Sequence, residues 1–263
     1  MAADILNEII SVKRRRVGSA RELVSLETLR SRVGEMNSGG RRLSTALLND
    51  SRFNIIAEFK RRSPSKGVIR ADADPASLAQ AYERGGAVAV SVLTEEDFFD
   101  GSLTDLKAVR QAVKLPILRK DFVVDEYQVW ESAAAGADAV LLIVAALSDD
   151  KLYSLRQLAE DQLGLDALIE AHSSEELKRA VAAGARIIGV NNRNLRNFDV
   201  SLDVSAQLAS EVPEGIIFIS ESGIGNHDDL IRLKGCGYHG FLIGETLMRA
   251  EDPEQALRSL LSG

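Results

Sequence analysis

From about residue 54 to residue 245 the chain repeats one pattern: a short apolar run, a polar loop, then a longer stretch with apolar residues three and four apart. A run buried on both faces followed by a stripe of period 3.6 is what successive strand–helix units produce. The pattern predicts eight strands, at Asn54–Phe59, Ala87–Leu93, Pro116–Arg119, Ala139–Val144, Asp166–Ile169, Arg186–Val190, Gly215–Ser220 and Gly240–Ile243. Val, Ile, Leu and Ala dominate them with little polar alternation, as in a parallel sheet covered by helices. The segments between them start as helices do. Asp74-Pro75, Ser148-Asp149-Asp150 and Ser173-Ser174-Glu175-Glu176 put hydroxyls and carboxylates where the first free amides need acceptors. Four exits, at Arg84-Gly85-Gly86-Ala87, Ala135-Gly136-Ala137-Asp138, Ala183-Gly184-Ala185-Arg186 and Lys234-Gly235-Cys236-Gly237, end on glycines that tolerate the left-handed turn into the next strand.

Eight such units at intervals of about 26 residues fit an α/β chain of the (β/α)8 TIM-barrel class, roughly 200 to 250 residues long. A doubly wound open sheet is the alternative. Residues 1–50 stand outside the count and carry helical spacing of their own. Ile5, Ile9 and Ile10 lie on one side of a segment ending in Lys13-Arg14-Arg15-Arg16, followed by Leu23–Val33 and a short piece at Leu43–Leu48. Too short to hold a core alone, they are expected to pack on the barrel as extra N-terminal helices of a single domain, 1–263. The Arg14–Arg16 cluster reads as a solvated helix end rather than a binding patch.

Composition narrows the function classes. The 263 residues are 45% hydrophobic and 27% charged, which excludes disorder and coiled coil. Lys and Arg number 32 against 39 Asp and Glu, a net charge of −7 without a long basic run, so neither nucleic acid nor a membrane surface is expected as a partner. Cys236 is alone, no apolar stretch approaches the roughly 20 residues of a membrane span, and the start, Met1-Ala2-Ala3-Asp4-Ile5, lacks a signal pattern. A reducing cytoplasm is the expected setting and a monomer the default state.

In a barrel of this class the reactive surface is built at the C-terminal ends of the strands. That filter selects Glu58 and Lys60 after the first strand, Lys120 after the third, Glu170 after the fifth, Asn191 and Arg193 after the sixth, and Glu221 and Ser222 after the seventh. Ser222-Gly223-Ile224-Gly225 and Ile243-Gly244-Glu245 follow the last two strands, where backbone amides can meet a phosphate, and Ser63 can add a hydroxyl from the opposite loop. Lys60, Lys120 and Arg193 gather cations in an acidic protein, which points to a small-molecule substrate anionic at more than one place. The alternative is that each cation pairs with a neighbouring Glu58, Glu170 or Asp121 in a structural network.

These segments carry a resemblance. Ile55-Ile-Ala-Glu-Phe-Lys-Arg-Arg-Ser-Pro-Ser65, Leu118-Arg-Lys-Asp-Phe122, Leu168-Ile-Glu170, Gly189-Val-Asn-Asn-Arg-Asn-Leu195, Ser220-Glu-Ser-Gly-Ile224 and Leu242-Ile-Gly-Glu-Thr-Leu-Met248 resemble, in order, the strand-end motifs of the indole-3-glycerol-phosphate synthase family. The length fits the form without a second fused barrel. The resemblance implies ring closure of 1-(2-carboxyphenylamino)-1-deoxyribulose 5-phosphate with loss of carbon dioxide and water, in tryptophan biosynthesis. It implies Lys120 as the acid, Glu170 as the base, Lys60 and Arg193 near the anthranilate carboxylate, Asn191 on hydroxyls, and Glu58 and Ser222 lining the same place. Phosphate would meet Ser63, Gly223, Gly244 and the Glu245 backbone. The family often has a small polar residue where Glu245 stands, so this carboxylate is expected to turn away from the phosphate. Phe99, Phe122, Leu141, Ile143 and Leu195 map onto its hydrophobic pocket, with Phe99 but not Phe98 expected to meet ligand.

No metal and no organic cofactor is expected. His172, His227 and His239 have no ligand spacing, and His172 follows Glu170 as an accident of sequence. Two rival functions remain: another phosphate-binding barrel enzyme such as a sugar-phosphate isomerase, which would not need the Lys120, Glu170 and Asn191 set, and a catalytically silent barrel scaffold, which would lack one of the charged strand ends.

Overall fold

The computed structural model describes residues 5–34, 42–194 and 198–263. Eight parallel strands close into a barrel: β1 (Asn54–Phe59), β2 (Ala89–Leu93), β3 (Ile117–Lys120), β4 (Ala139–Ile143), β5 (Asp166–Ala171), β6 (Ile187–Asn191), β7 (Ile217–Glu221) and β8 (Gly240–Ile243), with β8 pairing back to β1. Several strands run one or two residues beyond the apolar runs that announced them. Lys120, Glu170, Asn191 and Glu221 are therefore strand residues rather than loop residues. Backbone pairing is indifferent to side-chain polarity, so the ladder continues where the hydrophobic signal stops. A short hairpin, Arg62–Ser63 with Gly67–Val68, sits in the loop after β1 and had no sequence signal.

Side chains alternate along each strand, and that alternation divides the core. Ile56, Ala89, Leu118, Leu141, Leu168, Ile187, Ile219 and Leu242 fill the barrel interior. Their strand neighbours, such as Ile55, Val90, Ile117, Val140, Ile169 and Ile188, face the surrounding helices. Each fully buried Leu or Ile contributes about 2 kcal/mol of apolar burial. The helices between the strands include α4 (Pro75–Gly85), α5 (Leu103–Ala112), α6 (Glu126–Ala135), α7 (Asp149–Gln157), α8 (Ser174–Ala182), α9 (Asp203–Leu208) and α10 (His227–Gly235), with α11 (Glu245–Arg249) and α12 (Pro253–Ser262) after β8. The expected caps form: Asp74, Ser148 and Ser173 accept from the amides of Ser77, Lys151 and Glu176. At the exits, Gly86 and Gly136 take φ of 102° and 88°, conformations an L side chain resists.

The N-terminal helices are α1 (Ile5–Leu23), the cover helix, α2 (Leu26–Gly34) and α3 (Leu43–Ala46), the plug. Leu43 and Leu47 seal the bottom of the barrel interior, and Asp166 at the start of β5 accepts from the Ser44 amide and hydroxyl. At the other end the cover helix buries Leu6, Ile9, Ile10, Lys13 and Val17. Its basic run, Lys13–Arg16, falls in the middle of the helix rather than at an end, and is not simply solvated. Lys13 is 3% exposed, against Glu96 and Asp121 at 2.9 Å each, and Arg16 grips Asp97 with two hydrogen bonds of 2.7 and 2.9 Å. The three neighbouring carboxylates Glu95, Glu96 and Asp97 on the loop after β2 are what those cations answer. Among the described residues, no helix is long and apolar enough to cross a membrane.

Candidate active site

Period-two alternation carries the interior layer straight into the site. Two residues after Ile56 comes Glu58, then Lys60; after Leu118, Lys120; after Leu168, Glu170; after Ile219, Glu221; after Leu242, Gly244. All of these line one cavity of about 690 Å³ at the C-terminal mouth of the barrel. Every site residue expected from the sequence lines it: Glu58, Lys60, Ser63, Phe99, Lys120, Phe122, Leu141, Ile143, Glu170, Asn191, Arg193, Ser222, Gly223, Gly244 and Glu245. The exception is Leu195, which lies outside the described residues. Phe98 does not line the cavity, whereas Phe99 stands 6.2 Å from Phe122 between ring centroids, at 40°.

The cations are paired, and the pairs lie inside the cavity. Lys60 Nζ is 2.5 Å from Glu58 Oε1. Lys120 Nζ is 2.9 Å from Glu170 Oε2 and 3.4 Å from Glu221 Oε2. Burial works against the Lys120 ammonium, but the Glu170, Glu221 and Glu58 carboxylates outweigh it and hold the proton on more tightly than on a free lysine. Glu170 is the more deeply buried of the two, which opposes its charge, yet Lys120, His172 and a hydrogen bond from Asn191 bring its carboxyl down to about 2. Glu221 differs. Burial, with Glu170 and Glu58 nearby, outweighs Lys120 and pushes it up to about 8. One cavity thus holds a lysine kept charged, a carboxyl kept ionised beside it and a third carboxyl whose proton affinity is raised. The pairing makes Lys120 a weaker acid and Glu170 a weaker base than either would be alone, and a substrate that parts them returns both toward their ordinary values.

Small residues make the room. Glu170 sits opposite Gly189 in the β5–β6 register, and a side chain at 189 would collide with Glu221 Oε1. A side chain at Gly244 would collide with Glu58 Oε1. Just after β7, Ser222 and Gly223 both have positive φ, 66° and 86°. A non-glycine residue there stores about 1 kcal/mol of strain. That turn brings the backbone beside Gly244, which precedes α11, so amides from two consecutive strand ends border one concavity.

Two expectations change, and further residues join the site. The Glu245 side chain does not turn out of the cavity: its carboxylate lies 3.2 Å from Arg249, 3.7 Å from Lys66 and 3.8 Å from Arg193. Cations on the neighbouring loop and helix attract it inward. His172 is no accident of sequence, since its Nε2 lies 3.4 Å from Glu170 Oε1. Ile5, Leu6 and Ile9 of the cover helix also line the cavity, as do Lys66, Phe198 and Val200. The apolar spacing of Ile5 and Ile9 announced a packed face without saying which end of the barrel it would cover.

The sequence profile of the indole-3-glycerol phosphate synthase family matches residues 6–260. The chain is 48% identical over 263 residues to an indole-3-glycerol phosphate synthase of Carboxydothermus hydrogenoformans, covering 98% of this chain and 99% of the relative. It is 46% identical to one of Desulfosudis oleivorans, covering 99% of each. Solved structures that share the fold include a thiamine phosphate pyrophosphorylase from Pyrococcus furiosus (18% identity, TM-score 0.58, 80% of this chain and 94% of that one). Another is an N-acetylmannosamine-6-phosphate 2-epimerase from Clostridium perfringens (15%, TM-score 0.61, 84% and 96%). At such identities the likeness is one of fold. The extent and identity of the sequence matches, together with the closed barrel, decide the matter: the chain belongs to the indole-3-glycerol phosphate synthase family.

Proposed function

We propose that the cavity closes the indole ring, with Lys120 as the acid and Glu170 as the base. Membership of the family makes the chain a carbon–carbon lyase of tryptophan biosynthesis, converting 1-(2-carboxyphenylamino)-1-deoxyribulose 5-phosphate to indole-3-glycerol phosphate, carbon dioxide and water. The observation that carries the residue assignment is the 2.9 Å contact between Lys120 Nζ and Glu170 Oε2 within the cavity.

In this reading the substrate phosphate is held by the Gly223, Gly244 and Glu245 amides and the Ser63 hydroxyl, and the anthranilate ring lies against Phe99, Phe122, Leu141 and Ile143. Its carboxylate faces Lys60 and Arg193, and Asn191 meets the hydroxyls. The ring carbon bearing the carboxylate attacks the ketone carbon, and Lys120 gives a proton to the ketone oxygen as the new carbon–carbon bond forms. The electron pair of the departing carboxylate restores the aromatic ring, while Glu58 and Glu170 face the positive charge that precedes its loss. An acid then protonates the hydroxyl, which leaves as water, and Glu170 removes the proton whose departure completes the double bond. The whole sequence consumes one proton. The reading invokes no metal or cofactor and takes the enzyme to act in the cytoplasm, as a monomer, on a small anionic molecule.

Incubation of the purified protein with the carboxyphenylamino deoxyribulose phosphate, followed by indole fluorescence, tests substrate and reaction together. Growth of the indole signal supports the reading. Its absence with a folded protein would overturn it.

A further inference from the structure

His172 stands two residues beyond Glu170 along the same strand end, so alternation returns its ring to the side of the Glu170 carboxylate. It does not line the cavity and is placed behind Glu170 rather than against a substrate. From α8, Glu176 accepts from the His172 amide at 2.8 Å and meets ring Nδ1 at 3.2 Å. The other nitrogen, Nε2, lies 3.4 Å from Glu170 Oε1, is buried, and makes no hydrogen bond. The far side of the Glu170 carboxylate is taken by Lys120 from β3 and Asn191 from β6. Glu221 on β7 also bears on the ring electrostatically.

We propose that His172 is a positioning residue for Glu170, clamped between two carboxylates so that it steadies the base facing Lys120 and sets how readily that base takes up a proton. This rests on the assignment of Glu170 as base. The geometry selects the charged ring. With Nδ1 directed at Glu176, a neutral imidazole would present a lone pair to Glu170 Oε1, whereas an imidazolium presents an N–H. Burial disfavours that charge, but Glu176, Glu170 and Glu221 outweigh it and raise the proton affinity of the ring. An imidazolium at ion-pair distance in turn favours the ionised form of Glu170.

His172→Gln cannot carry the charge at any pH. The acid limb of its kcat profile is expected to move up by about one pH unit, since a cation at this distance depresses a carboxyl by about that much or more. KM at pH 8 should stay within about twofold, because the ring touches no substrate. A loss of melting temperature with an unmoved acid limb would mean a merely structural histidine and overturns the proposal. The ring can also be followed without turnover, by NMR titration of its Cε1 proton in the intact enzyme. His172 should titrate above the ordinary histidine value of about 6.5, and Glu176→Gln should lower that midpoint. A midpoint at or below the ordinary value, or one indifferent to Glu176→Gln, overturns the proposal even if the substrate assay succeeds. Failure of the substrate assay alone leaves these titrations to decide on the clamp itself.

Discussion

Lys13 of the cover helix lies 2.9 Å from Asp121, the residue immediately after Lys120. Asp121 also takes a 2.7 Å hydrogen bond from Thr94 and a 3.0 Å contact from Arg119, all of it buried. The helix that places Ile5, Leu6 and Ile9 over the cavity is thus anchored one residue from the proposed acid. The cover and the end of β3 are coupled through a single ion cluster.

Breaking that anchor should cost stability and substrate affinity together. Removing one partner of a buried ion cluster costs roughly 3 kcal/mol, so Lys13→Met is expected to lower the melting temperature by on the order of 10 °C. KM should rise several-fold with a smaller change in kcat. A calorimetric scan with steady-state kinetics checks both, and an unchanged melting temperature would refute the anchor.

Lys120→Met should lower kcat by at least about a hundredfold, the usual worth of a positioned acid. The fold should survive although the Lys120 side chain is only 14% exposed and faces two carboxylates. Those carboxyls can take up protons once their counter-ion has gone. Circular dichroism beside single-turnover kinetics makes the comparison. Glu170→Gln is expected to lower kcat similarly while leaving KM near its starting value, and a defect confined to KM would assign Glu170 to binding instead.

Two of the perturbed carboxyls, Asp121 and Glu221, give opposite pH dependences. Burial opposes the Asp121 charge, but Lys13 and Arg119 depress it from 3.8 to about 2, so its contribution to stability is present above pH 3.8 and is lost as pH falls through about 2. Glu221 is raised from 4.5 to about 8, so its contribution is complete below pH 4.5 and disappears as pH rises through about 8. Glu221→Gln, which cannot ionise, should therefore flatten the alkaline arm of a plot of melting temperature against pH and leave the acid arm unchanged.

Gly244→Ala would set a methyl group against Glu58 Oε1, the same oxygen that pairs with Lys60. The carboxylate must shift, or the strand end must move away from the phosphate concavity. Either way kcat/KM should fall by about tenfold or more, since misplacement of roughly 1 Å costs on that order, with little change in fold by circular dichroism. Full activity would mean that neither the Glu58 position nor that backbone approach matters.

The barrel was legible because its signals are local and repeated: apolar runs, hydroxyl or carboxylate caps and glycine exits recur unit after unit. The site was legible because a strand end is a definite place in this fold, so Lys120 and Glu170, fifty positions apart, could be assigned to one rim. What escaped depends on contacts between distant segments. Lys13 looked like part of a basic helix end, and only the acidic loop at Glu95–Asp97, brought alongside by the fold, makes it a buried anchor. His172 failed a test for metal spacing, which has no bearing on a ring held between Glu170 and Glu176. Glu221 stood at a strand end but was given no role, because its raised proton affinity comes from burial, with Glu170 and Glu58 converging on it from other strands.

The inward Glu245 carboxylate bears on how an anion would be gripped. It lies close to Arg249, Lys66 and Arg193 at the edge of the cavity proposed to hold phosphate. Those cations are already answered by a tethered carboxylate, so in the proposed reading an entering phosphoester leans on the Gly223, Gly244 and Glu245 amides rather than on long basic side chains.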